Sequence, residues 1–212
     1  MSVFGTLQRA AVAIWPWGRG SSALQLGEHL LAEGKVREAL GAFLRHAGEH
    51  PAEAADAYCR AAKCCLHVKH RDLPREVFHG VAIAVESSRD AAENLFRKAL
   101  AHKPRHFESL LGLADVLPPR SPERLHVLER AANLQPHYPT LLAIGDFYRD
   151  VLAEMVRAYE YYQKAQQQAP RDKAAYQRLG DLCRRLGRES DAQHWQHAWN
   201  EVAGRRNDPS RG

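Results

Sequence analysis

The sequence predicts an all-α solenoid built from about five stacked helical hairpins, and three observations predict it. Ala, Leu, Arg and Glu dominate the 212 residues while aromatics make up only 8%, which favours helices. β-Branched residues gather only in short runs such as Val81–Val85, too sparse to supply a sheet. Above all, one pattern of residues recurs along the chain at nearly constant spacing.

Taken in order, the elements begin with a helix over 3–15. Val3, Phe4, Leu7, Ala11, Ile14 and Trp15 share one face at helical spacing, and Pro16 stops the run. No basic residue precedes this stretch and Gln8-Arg9 interrupts it, so a cleaved secretory signal is not expected. The apolar face needs a cover: the protein's own first helices, a partner, or a membrane surface reached through residues 3–17. No run of about 18 apolar residues occurs, so no transmembrane helix is expected.

The repeat carries the middle of the chain. Four segments match: Ala39-Phe43-Pro51, Ala92-Phe96-Ala99-Pro104, Arg124-Leu128-Ala131-Pro136 and Ala158-Tyr162-Ala165-Pro170. In each, the first position lies 12 residues before the proline and the large residue lies 8 before it. Ala192-Gln196-Trp199-Gly204 is a fifth copy with Gly at the end. Upstream of the copies sit Gly27, Gly80, Gly112, Gly145 and Gly180, four of them preceded by Leu or Ile. The glycine lies 12 residues before the second-half start, except that Gly145 and Ala158 are 13 apart, which implies a one-residue insertion in that turn.

This periodicity has a physical meaning. A first helix carries the Leu-Gly pair, and the glycine lets a neighbouring helix approach closely. A second helix carries a small residue, a large residue four later and a small residue three further, all on one face. Proline ends it. One hairpin cannot bury its face alone, whereas a stack can. The expected helices are 22–33, 36–49, 52–69, 74–86, 89–103, 105–117, 122–134, 138–151, 154–169, 172–186 and 189–203. The rigid turn Pro118-Pro-Arg-Ser-Pro122 separates two of them.

The pattern resembles the tetratricopeptide repeat (TPR), whose period is 34 residues. Leu26-Gly27-x2-Leu30-x3-Gly34-x4-Ala39-x3-Phe43-x7-Pro51 is the fullest single unit, and the resemblance covers about residues 21–204. The terminal prolines and Gly204 are spaced 53, 32, 34 and 34. The first value exceeds one period by 19 residues, which is one extra helix of ~28 Å, assigned to 52–69. Tyr58, Ala61, Ala62 and Cys65 fill first-helix places there, with the partner helix missing or replaced. Other departures are Arg124 for Ala, and His46 and Trp199 at the later Ala place. The expected organisation is thus an N-terminal amphipathic arm over 1–20, a TPR-like solenoid over 21–204 that is irregular at 52–73, and a disordered tail over 205–212.

Several chemistries are excluded. The net charge of +5 is carried by dispersed arginines rather than a dense stripe, so no nucleic-acid partner is expected. Cys59, Cys64, Cys65 and Cys183 form no disulfide framework, which fits a reducing, cytoplasmic compartment. Cys59, Cys64, Cys65, His67 and His70 are read as helix packing rather than a metal site, because zinc ligands come in pairs from a knuckle or two elements. No phosphate loop, dinucleotide glycine signature, HExxH or Gly-x-Ser-x-Gly is present, so no enzyme and no cofactor is expected.

The resemblance to TPR stacks implies that the inner face of the first helices holds a protein or peptide segment. It places Leu142, Asp146 and Arg149 in one unit and Gln177, Asp181 and Arg184 in the next, with Arg178 beside them. Arg149, Arg178 or Arg184 would hold a carboxylate, unless Asp146 and Asp181 pair with them first. The set of residues by which chaperone-binding TPR domains hold a terminal carboxylate is not reproduced. The expected function is a non-catalytic interaction adaptor or assembly scaffold. The alternative is a membrane-peripheral assembly factor of the secretion or pilus-biogenesis type, anchored through its N-terminal helix.

Overall fold

The computed structural model describes residues 23–73, 77 and 86–206, with backbone alone at 205 and 206. The expected helices over 3–15 and 74–86 lie outside the described residues, save Val77, which is buried, and Glu86. Ten α-helices and no strands occur among the described residues. Residues 1–104 and 105–212 form two compact units.

In the first unit, α1 (Ala23–Ala32) and α2 (Val36–Glu49) form a hairpin, followed by α3 (Ala54–Cys65), a 3-10 turn (His70–Asp72) and α4 (Ser88–His102). Gly34 takes φ +75° between α1 and α2, a conformation in which a side chain is strained. Leu30 accepts Lys35 N–H at 2.8 Å there and Leu31 accepts Gly34 N–H at 2.9 Å, which satisfies two carbonyls that α1 leaves open. A Cβ on Gly27 would clash with the Phe43 ring of α2, so the expected close approach is present. His46 occupies a small-residue place yet is buried, because its Nε2 donates to Glu53 at 2.9 Å and its ring lies against His50.

The 52–69 helix is shorter than expected. Pro51 to Glu53 form a turn, and α3 ends at Cys65. His67 N–H then reaches Cys64 O at 3.0 Å and Val68 N–H reaches Cys65 O at 3.3 Å, the tighter pattern of a terminating helix. Leu66 to Arg71 are exposed or half-buried and polar for the most part, with no apolar stripe to bury. Val68 O instead accepts Ser88 Oγ at 2.6 Å, tying the connection to the start of α4. Nor is α3 unpaired: it packs against α2 and α4, so α4 replaces the missing partner. Its buried side chains are all Ala or Cys, which permits this packing on two sides. Burial pushes the Cys64 thiol up to about 11 and Cys65 to about 12, so both are protonated core residues. A capping box starts α4: Ser87 Oγ accepts Asp90 N–H at 3.2 Å and Asp90 accepts Ser87 N–H at 2.9 Å.

The second unit holds three hairpins: α5 (Phe107–Val116) with α6 (Pro122–Leu134), α7 (Tyr138–Asp150) with α8 (Met155–Gln168), and α9 (Lys173–Arg185) with α10 (Glu189–Arg206). Ser121 caps α6 by accepting Arg124 N–H at 3.1 Å, with Pro122 in the first turn. Arg124 replaces the usual Ala because its Nε reaches back to Ala114 O at 3.0 Å in the preceding helix. The inserted residue between α7 and α8 leaves Ala153 at φ +56°, where the α9–α10 turn uses Gly187 at +69°. That strain costs roughly 1 kcal/mol. Helix α10 continues to Arg206, two residues into the span expected as tail; 207–212 lie outside the described residues.

Candidate interaction surface on the first helices of the second unit

Helix spacing sets Tyr138, Leu142, Asp146 and Arg149 along one stripe of α7. Lys173, Gln177, Asp181 and Arg184 repeat that stripe on α9. Capping fixes where the second stripe begins, because Asp172 accepts Ala174 N–H at 2.8 Å.

Asp146 is the centre of the first stripe. It accepts the Tyr162 hydroxyl of α8 at 2.7 Å and Arg178 of α9 through Nε at 2.9 Å and Nη2 at 3.0 Å. Arg149 Nη2 lies 3.2 Å from it. Arg149 also grips Asp150 with Nε at 2.7 Å and Nη2 at 2.6 Å, and its guanidinium stands over the Tyr162 ring. These contacts explain the titration. The Arg149 hydrogen bonds hold Asp150 below the usual carboxylate range, while burial and then the Asp146 hydrogen bond push Tyr162 far up. Arg149 and Arg178 each meet an aspartate, and Arg185 Nη1 lies 3.9 Å from Asp150, so three guanidiniums share two carboxylates.

Leu142 is buried, and Asp146, Arg149 and Arg178 share the network just described. Gln177, Asp181 and Arg184 are exposed on α9. Arg184 pairs with Asp181, a surface contact worth about 0–1 kcal/mol. Arg149, Arg178 and Arg184 are thus all paired with the chain's own aspartates.

The contacts of four further side chains were not legible in the sequence. Tyr162 was legible as the large residue of its repeat, but its hydroxyl contact was not. Tyr138 donates to Asp172 at 2.5 Å across to α9. Trp195 and Trp199 of α10 lie against Tyr176, with ring centroids 6.1 and 5.6 Å away. An eye to which residues stand one period apart, such as Tyr138 and Lys173, was the available signal. A cleft of about 110 Å³ opens between α9 and α10, smaller than the ~300–1,000 Å³ of small-molecule sites. No group of three metal-binding side chains occurs among the described residues. No helix there is long and apolar enough to cross a membrane.

No family model and no curated protein sequence matches the chain. Solved structures do match. MamA residues 41 to the end from Desulfovibrio magneticus RS-1 aligns with a TM-score of 0.65 at 19% identity, covering 90% of this chain and 100% of that one. A crystal structure of MamA protein aligns at 0.67 and 16% identity, covering 90% and 94%. MamA from AMB-1 aligns at 0.59 and 14%, covering 85% and 96%. At these identities the likeness is one of fold, and with the hairpins and glycine contacts above it shows that the chain has a TPR-like, all-α solenoid fold.

Proposed function

We propose that this protein is a non-catalytic interaction scaffold that holds a segment of a partner protein on the first-helix face of its hairpins. The observation that carries this reading is the stripe repeated from α7 to α9. Leu142, Asp146 and Arg149 recur in register as Gln177, Asp181 and Arg184, so a rigid ladder of paired charges faces one way. The likeness to MamA structures supports the reading at the level of fold. Because Arg178 and Arg149 are neutralised by Asp146 and Asp150, the surface suits a segment of mixed polarity rather than a bare terminal carboxylate. Four buried free thiols support a reducing, cytoplasmic location.

The test is affinity purification from the native cell, comparing the wild type with the double charge reversal Arg149→Glu/Arg184→Glu. A specific partner lost from a variant that keeps its helical circular dichroism supports the reading. A partner retained by the variant moves the site off these residues. Membrane-peripheral anchoring through residues 3–17 is separated by deleting 1–20, which abolishes membrane association only in that alternative.

A further inference from the structure

Helices α7 and α9 show how one first helix receives the next. Tyr138 of α7 donates to Asp172, the N-cap of α9, at 2.5 Å. Asp146 of α7 accepts Arg178 of α9 at 2.9 and 3.0 Å. The hairpin below them is closed, because a Cβ on Gly145 would sit 2.5 Å from the Tyr162 ring. Thirty-five residues on, the places of Tyr138, Gly145 and Asp146 are held by Lys173, Gly180 and Asp181, and the place of Tyr162, 34 on, is held by Gln196.

The last hairpin is therefore built to the same plan and left open. Gln196 donates to Asn200 on its own helix at 3.2 Å. No ring covers Gly180; the nearest atom to a Cβ there would be Ala192 O at 3.8 Å. The cleft beside it is lined by Tyr176, Trp195 and Trp199, and by Lys173 and Asp181. Both tryptophans remain half-exposed.

We infer that this cleft is a docking site for an α-helix of a partner protein that has an acidic residue at its N-cap and a basic residue six positions later. Lys173 meets the acid and Asp181 the base, as Tyr138 and Asp146 meet Asp172 and Arg178. An apolar side chain fills the space over Gly180 between the aromatic rings. The chain itself carries this pair only in α9, where Asp172 and Arg178 are already held by Tyr138 and Asp146 of α7, so the complementary helix comes from a partner. In the other units the place of Arg178 is held by Gln25, Phe78, Leu110 and Ala143, and in α3 by Arg60, which follows its N-cap Glu53 by seven residues rather than six and pairs with Glu28, so no other first helix of a second copy supplies both charges at this spacing. Residues 1–22 contain no Asp or Glu, so the N-terminal segment lacks the acid. The inference rests on the scaffold reading and shares Asp181 with it, adding Lys173, Gly180 and the aromatic rings beside it.

The probe is a fluorescent peptide of residues 170–186 carrying Cys183→Ser, which reproduces the acid and the base, titrated against the full chain. Saturable binding is expected. The double reversal Lys173→Glu/Asp181→Arg weakens it by about tenfold or more, and a peptide with Asp172→Lys and Arg178→Asp restores binding to that variant. Gln196→Tyr, which supplies the ring that Tyr162 gives Gly145, also weakens binding while the thermal midpoint holds or rises. Absent binding, equal binding by the variants, or failure of the reversed peptide overturns the inference. So does stronger displacement of the probe by an unlabelled peptide of residues 1–22, or self-association of the chain that the double reversal abolishes. Because Arg184 also lines the cleft, loss of the scaffold reading shows instead in the purification with Arg149→Glu alone, which leaves the cleft and the probe untouched.

Discussion

In the α7–α8 hairpin, Gly145 lies under the Tyr162 ring and the hydroxyl of that ring binds Asp146. In the α9–α10 hairpin, Gly180 has no ring over it and Gln196 turns along its own helix. Yet the two hairpins share the Leu-or-Ile-Gly-Asp sequence and the Ala that starts the second half. The difference shows that the glycine is required by its partner rather than by the helix. A helix interior disfavours glycine by about 1 kcal/mol against alanine, so the residue is retained cheaply only where a ring needs the room.

The comparison is broken most strongly at the ring. Tyr162→Ala removes a fully buried side chain and is expected to cost about 3–5 kcal/mol, whereas Gln196→Ala at the matching exposed place changes stability by less than about 0.5 kcal/mol. Urea titration of the two variants checks this, and equal losses would remove the distinction between the hairpins. A smaller contrast comes from the glycines themselves. Gly145→Ala forces the ring to shift and is expected to destabilise by about 1–2 kcal/mol net, while Gly180→Ala gains helix propensity and stabilises by up to about 1 kcal/mol. Opposite signs in thermal midpoint are the outcome to look for.

The smallest effect concerns pH. Tyr162 titrates well above its value in the unfolded chain, ~10, because it is buried and bonded to Asp146. Its contribution to stability is therefore complete below pH ~10 and declines as pH rises toward the folded-state value. Tyr162→Phe is expected to lose about 1 kcal/mol at neutral pH with the hydrogen bond, and to flatten the alkaline decline. An unchanged alkaline slope in that variant would place the effect elsewhere, with Tyr138, raised by burial and its bond to Asp172, the next to replace.

Much of this was legible in the sequence, for reasons that differ by element. Helices α4 to α9 begin and end within two residues of where capping residues, prolines and the 34-residue period place them. The 52–69 segment was less legible. Its Ala-rich pattern predicts a helix, but where it stops depends on Val68 O accepting Ser88 Oγ from a residue 20 positions away. On α7, the arginine and aspartate types were visible, whereas their partners were not. Arg178 chooses Asp146, 32 residues distant, and Arg149 chooses Asp150 beside it. Long flexible side chains have several acceptors within reach, and spacing along one helix does not rank them.

By itself the sequence determined the helical class, the hairpin period and the places where a small residue leaves room for a neighbouring helix. These follow from side chains repeating at fixed positions on a helix of fixed pitch. Only the tertiary structure decided which arginine neutralises which aspartate, that α4 serves as partner to α3, and that the last hairpin stays open over Gly180. Those outcomes depend on distances between segments far apart in the chain, and such distances are set by packing rather than by any local preference.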